Sequence, residues 1–290
     1  MLRYAFARKM VYDKGEVSVS MVLDLTREII QVRSAVLGDA LISYLEVGVG
    51  QNVLLIPGWL LSPKVYTQSA RKLAALGFRV VIPEVYSSGV VVDSVSGLNS
   101  VTKLLEAFVD AIFGNDKYLV VGHSLGGALS LSLSAANQER IEKLVLINSI
   151  GDPSWIDHNG TASTLSKRSL NDWAGAFLID LNRMRNRHVF LPQAALEAAK
   201  ELARNPARVV KFALWAKSAD MTTEIEQLSR SKIQILALWT NEDVVVPNES
   251  FIGLATGLGA TIIELNGSHG WIYSSPDEFS RVVGNFLLLK

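Results

Sequence analysis

Five consecutive residues, Gly122-His123-Ser124-Leu125-Gly126, have the spacing of a serine carried on a sharp turn. A serine hydroxyl is a weak nucleophile at neutral pH. It becomes reactive through an adjacent base, and the base through a third group that orients it. Glycines two residues before and two after Ser124 leave room for a turn in which a Cβ would strike neighbouring backbone. The chemistry suited to such a serine is attack on a carbonyl carbon through a covalent acyl intermediate.

The chain has four histidines to supply the base. His123 adjoins the serine, with its side chain on the other side of the turn, and is expected to pack near a sheet. His158 and His188 fall in a stretch with helical patterning. His269 lies in Asn266-Gly267-Ser268-His269-Gly270-Trp271, a loop directly after the apolar run 261–265. Loops at the carboxyl ends of parallel strands are where open α/β sheets meet their ligands. The orienting acid is expected between serine and histidine in the chain, again just past a strand. Asp243 meets both conditions, following the run 233–238. The adjacent Glu242 and the separate Asp152, which follows the run 143–147, are its rivals.

These side chains need a scaffold, and the hydrophobic pattern supplies one. Residues 29–36 and 40–47 read as a hairpin turning at Gly38-Asp39. Further strands are expected at 53–56, 80–82, 118–121, 143–147, 233–238 and 261–265. Most are short, rich in Val, Ile and Leu, and lack alternation, as strands buried on both faces do. Between them, 64–76, 95–113, 125–137, 249–258 and 277–288 have helical spacing. Strand–helix alternation of this kind implies a largely parallel sheet with helices on both faces, a three-layer α/β sandwich.

The alternation stops between Gly151 and Ser231, where only helical patterns occur. Leu170, Trp173, Ala174, Phe177, Leu178 and Leu181 form one apolar stripe entered through Ser169. Pro192 and Pro206 are placed to open helices at 193–204 and 207–217. The organisation expected is therefore a core of 29–151 and 231–290, an all-helical cap at 152–230, and an N-terminal extension, 1–28, of unassigned role. Trp155, Trp173, Phe177 and Trp215 are the candidate pocket residues of that cap, with Phe190 and Phe212 as further aromatic candidates.

Composition narrows the class. The 290 residues are 49% hydrophobic and carry no net charge, with basic residues scattered along the chain. That distribution gives no electrostatic footprint for nucleic acid. There is no cysteine, so disulfides, thiolate metal sites and cysteine nucleophiles are excluded. No apolar run approaches the ~18 residues of a membrane span. Residues 1–10 carry Arg3, Arg8 and Lys9 without an apolar block of signal-peptide length. A cytoplasmic enzyme with a small-molecule substrate is the expectation; a homo-oligomer stays open.

The sequence resembles the α/β-hydrolase family from about residue 29 to its end. The resemblance rests on Val53-Leu54-Leu55-Ile56-Pro57-Gly58-Trp59, on Gly122 to Gly127, on Asn241-Glu242-Asp243 with Pro247, and on Ser268-His269-Gly270-Trp271. It implies a mostly parallel eight-stranded sheet with one antiparallel strand near the start, and a helical cap over the site. It also implies an oxyanion hole made by the backbone N–H groups of Trp59 and Leu125. Many members have His-Gly where this chain has Pro57-Gly58. The expected donor is the residue after the glycine, so the hole survives that change.

The mechanism expected is two-step acyl transfer by Ser124, His269 and Asp243 with no metal or organic cofactor, hydrolysing an ester of a small, largely apolar molecule. Carbon–carbon bond hydrolysis, lactone opening and cofactor-free perhydrolysis use the same residues. A ligand-binding protein on a hydrolase scaffold is the alternative from another class.

Overall fold

The computed structural model describes residues 29–37, 40–59, 61–86, 97–152, 175, 176, 179, 180, 183, 196, 199–217 and 219–289. Strands β1 (Ile30–Leu37), β2 (Ala40–Val47), β3 (Gln51–Ile56), β4 (Phe78–Pro83), β5 (Tyr118–His123), β6 (Ile141–Ile147), β7 (Gln234–Thr240) and β8 (Thr261–Leu265) form one eight-stranded sheet. Its order is β1-β2-β4-β3-β5-β6-β7-β8. β2 is antiparallel to both its neighbours, and every pairing from β4 to β8 is parallel. Leu37 pairs with Ala40, the register of a two-residue hairpin.

The missing alternation in the strand sequences has a direct cause. Leu54, Ile56, Val120, Leu144 and Leu146 point into a core shared with α2 (Leu98–Phe113) and α3 (Leu125–Ala136). Their immediate neighbours Val53, Leu55, Leu119, Val121, Val145 and Ile147 point into a second core with α1 (Thr67–Ala75) and α8 (Pro276–Leu288). Successive strand residues face opposite sides, and here both sides are apolar, so the pattern reads as continuous.

Between β6 and β7 the described residues include no strand; they contribute α4 (Pro206–Lys217) and α5 (Thr222–Ser229). Residues 175, 176, 179, 180, 183, 196 and 199–204 are also helical. α5 packs on α3, where Ser132 Oγ donates to Glu224 Oε1 at 3.0 Å. The stripe at 170–181 lies largely outside the described residues, and Ser169 wholly so. After β7 come α6 (Asn248–Gly257) and, beyond β8, the single turn α7 (Trp271–Ser274). No described helix is long and apolar enough to cross a membrane.

This topology gathers four loops. Ile56 pairs with Gly122, His123 with Ile147, and Thr240 with Leu265. The carboxyl ends of β3, β5, β7 and β8 therefore finish close to level, and the segments starting at Pro57, Ser124, Asn241 and Asn266 leave the sheet at the same edge.

Candidate active site

The chain leaves β5 at Ser124 with φ 55° and ψ −121°, a conformation that costs a non-glycine residue ~1–3 kcal/mol. Backbone bonds hold it there: Ser124 N–H donates to Ile147 O at 3.0 Å, and Gly127 N–H to Ser124 O at 2.9 Å. The flanking glycines are required by close approach. A Cβ on Gly122 would lie 2.2 Å from Ser130 Oγ, and one on Gly126 would lie 2.3 Å from the Ile56 carbonyl oxygen. Ser124 is half-buried between buried neighbours, so the turn lifts it out of the interior.

His269 and Asp243 arrive from the two loops beyond β8 and β7. His269 Nδ1 donates to Asp243 Oδ2 at 2.8 Å, and their side chains are 5% and 0% exposed. The other carboxylate oxygen, Oδ1, accepts from Val245 N–H at 2.7 Å and Val246 N–H at 2.9 Å. One oxygen shapes the loop while the other meets the imidazole. Burial pulls the His269 pKa down, and the charges of Asp243 and Asp180 with the Asp243 hydrogen bond raise it overall above the ordinary value.

The rival acids lie elsewhere. Glu242 is exposed, and its N–H donates to Gly267 O at 2.9 Å, joining the two loops through backbone. Asp152 is buried with its carboxylate against α6: a Cβ on Gly253 would sit 2.6 Å from its Oδ2.

His123 has a larger part than filling the motif. It is fully buried, and burial followed by the nearby His269 pushes its pKa well below the usual imidazole value. A neutral ring has one N–H. Nε2 lies 2.9 Å from the His269 carbonyl oxygen, which can only accept, so the proton belongs on Nε2. Nδ1 then accepts from Tyr66 O–H at 2.8 Å, and Tyr66 Oη accepts from Gly58 N–H at 2.8 Å. Burial raises the Tyr66 pKa strongly, keeping that proton in place. A single chain of hydrogen bonds thus runs from the loop after β3, under Ser124, to the loop after β8.

Two more ties complete this floor. Tyr86 O–H donates to Pro57 O at 2.9 Å. Asn148 Nδ2 donates to the His269 carbonyl at 3.2 Å and to Thr240 Oγ1 at 2.9 Å. Because Gly58 N–H is occupied by Tyr66, the next donor along is Trp59. Among the described residues no acceptor takes the N–H of Trp59 or of Leu125.

Trp59, Tyr86, Glu201, Arg208, Val209 and Phe212 line a small pocket beside α4. Trp215 is absent from this lining and packs edge-on against Phe212, ring centroids 5.1 Å apart. Trp155, Trp173 and Phe177 lie outside the described residues, as do His158, His188 and Phe190. Among the described residues no group of three or more His, Asp or Glu side chains could hold a metal ion.

One residue at the site escaped the sequence reading altogether. Asp180, 1% exposed, accepts from His269 N–H through Oδ1 at 2.5 Å and from Gly270 N–H through Oδ2 at 3.2 Å. The available signal was a lone acid amid Phe177, Leu178, Ile179 and Leu181: a charge in an apolar run marks a buried partner.

Residues 53–282 match the family described as Alpha/beta hydrolase family. The chain is 26% identical over 276 residues to the 2-hydroxy-6-oxo-6-phenylhexa-2,4-dienoate hydrolase of Comamonas testosteroni, covering 87% of this chain and 92% of that one. It is also 26% identical over 236 residues to the 2-hydroxy-6-oxononadienedioate/2-hydroxy-6-oxononatrienedioate hydrolase 1 of Dechloromonas aromatica, covering 77% and 80%. Among solved structures, a bromoperoxidase from Bacillus anthracis superposes with a TM-score of 0.71 at 20% identity, covering 89% of this chain and 99% of that one.

Proposed function

The chain belongs to the alpha/beta hydrolase family, and on that premise we propose that it is a serine hydrolase acting through Ser124, His269 and Asp243. The observation that carries the reading is the 2.8 Å bond from His269 Nδ1 to the buried Asp243 carboxylate, at the sheet edge where Ser124 sits on its strained turn. With Nδ1–H committed to Asp243, Nε2 is the basic nitrogen. It takes the Ser124 proton as Oγ attacks a substrate carbonyl. Asp243 holds the tautomer and stabilises the imidazolium without itself taking the proton.

The tetrahedral oxyanion is received by Trp59 N–H and Leu125 N–H, each worth ~3 kcal/mol by the cost of losing one such donor. His269 then returns its proton to the leaving group, and in the second half activates water against the acyl-enzyme. Trp59, Tyr86 and Phe212, which line the pocket beside α4 together with Glu201 and Arg208, offer apolar surface toward the acyl side. The residues of 152–230 serve as the cap over this space.

The substrate read first is a small carboxylic ester. A second reading, carbon–carbon bond hydrolysis with the same three residues, is favoured by the relatives named for 2-hydroxy-6-oxo-dienoates, to which the chain is 26% identical across most of its length. A fluorophosphonate probe should label Ser124, and Ser124→Ala should abolish both labelling and turnover of p-nitrophenyl esters. A 2-hydroxy-6-oxo-dienoate in the same panel separates the two substrate readings. An adduct on any other residue of active enzyme refutes the assignment.

A further inference from the structure

His269 is gripped from outside the sheet as well as from within it. The helical residues around 180 belong to the segment between β6 and β7, far in sequence from the loop they touch. Ala176 is buried against the main core. Four residues on, on the same helical face, the Asp180 carboxylate receives the N–H groups of His269 and Gly270. Three residues further, Arg183 Nη1 reaches the Glu242 carbonyl at 3.4 Å. One turn of this segment therefore bonds both the histidine loop and the acid loop, through backbone atoms of His269 and Gly270 in the first and of Glu242, next to Asp243, in the second.

We propose that Asp180 is a positioning residue that fixes the main chain at His269 and Gly270 and so the placement of the His269 imidazole. Its two N–H bonds hold the main chain at 269–270 from the side opposite the sheet; without the carboxylate the loop keeps only its ties to the sheet. This rests on His269 being the general base.

The electrostatic surroundings support that geometry. Asp180 faces His269 from the β8 loop, Asp243 from the β7 loop and Tyr273 from α7, with Arg183 on its own segment. Burial raises its pKa to about 6, with the Asp243 charge adding to the rise and His269 with the two backbone N–H groups opposing it. Its negative charge also raises the pKa of His269. A carboxylate kept charged at such a cost is placed for something other than stability.

The test compares wild type with Asp180→Asn and Asp180→Ala, using p-nitrophenyl butyrate turnover, the rate of fluorophosphonate labelling across pH, and thermal unfolding. Asn keeps the shape and one acceptor but removes the charge. The expected result for Asp180→Asn is kcat down by about tenfold or more with KM within about threefold, as losses at supporting residues run ~10–100-fold. The acid limb of the labelling profile should move to lower pH, because His269 loses a charge that raised its pKa. Thermal stability near about pH 8 should be equal or higher, since a buried charge is gone. Asp180→Ala should show the same activity loss, which guards against an unforeseen bond made by Asn. An unmoved acid limb, unchanged kcat, or activity loss that only tracks a fall in stability overturns the proposal. Ser124→Ala, run alongside, separates failures: full turnover there sinks the hydrolase reading and this proposal together, whereas an inactive Ser124→Ala beside a normal Asp180→Asn sinks this proposal alone.

Discussion

His269 has two sets of supports, and they differ in kind. From the sheet side come His123, Tyr66 and Asn148, all buried and joined by bonds between neutral groups. From the inserted segment comes one carboxylate, Asp180, whose pKa stands at about 6. The sheet-side supports hold nothing that titrates near neutrality, and they lie on or beneath strands that cannot move without opening a core. The other support depends on charge and on where a separate helical segment sits. A site built this way has a permanent floor and a conditional wall: the floor ties the histidine loop to the sheet through neutral groups, and the wall's two bonds depend on the Asp180 carboxylate.

The largest effect should come from the acid that belongs to neither set. Asp243 bonds the imidazole directly, whereas Asp152 lies against α6. Asp243→Asn preserves the loop's shape but offers the wrong hydrogen-bonding group to Nδ1, and the equivalent change in a comparable triad costs ~10⁴ in kcat. Asp152→Asn and Glu242→Gln should stay within about tenfold of wild type, under ~1.4 kcal/mol of barrier. Steady-state kinetics on a p-nitrophenyl ester decides this. Collapse in Asp152→Asn with a mild Asp243→Asn would put the acid on β6.

The next effect is at the floor. Tyr66→Phe leaves both Gly58 N–H and His123 Nδ1 without the hydroxyl that joins them. Each orphaned buried group costs ~1–3 kcal/mol, so unfolding by urea should show a loss of about 2–6 kcal/mol. The freed Gly58 also loosens the strand-end loop carrying Trp59, and kcat should fall by about tenfold, roughly 1.4 kcal/mol. A Tyr66→Phe enzyme of normal stability would mean that the chain of bonds from β3 to β8 is not a support.

That contrast also explains what sequence could reveal. Ser124 and His269 stand out in the sequence because the signal is local: an apolar run, then a loop carrying a serine or a histidine. Asp243 stands out only in combination with them; in the fold its carboxylate meets the His269 imidazole, whereas Glu242 in the same loop is exposed and Asp152 lies against α6. Tyr66, Tyr86 and Asn148 carry no local signature, since their partners lie in other loops that only the strand order brings together. Asp180 sat in a run whose apolar neighbours implied packing, and the exception in that run was its meaning. In the fold, β2 and β8 match their expected bounds, while the helix expected from 64 opens as a 3₁₀ turn at Pro63–Tyr66 before α1. The one expected from 95 begins at Leu98, behind Gly97 at φ 56°. α7 went unseen because one turn is too short for periodicity.

The smallest effect, and the one that isolates the conditional wall, is in the pH dependence of stability. Asp180 has a folded pKa of about 6 against an ordinary carboxylate value of 3.8. Because the folded state binds this proton more tightly than the unfolded state, the group's contribution is greatest below the unfolded value and is lost as pH rises through the folded one. His269, also raised, acts in the same direction but at higher pH. The wild-type curve therefore sums the two groups. The difference between wild type and Asp180→Asn separates them. Urea unfolding from about pH 4.5 to about pH 7.5 should show wild type losing roughly 1–2 kcal/mol relative to the variant, most of it below the folded pKa of about 6 and levelling off above it. A flat difference curve for Asp180→Asn would mean that the carboxylate is not held at a charge cost in the folded protein, and the distinction between floor and wall would lose its electrostatic basis.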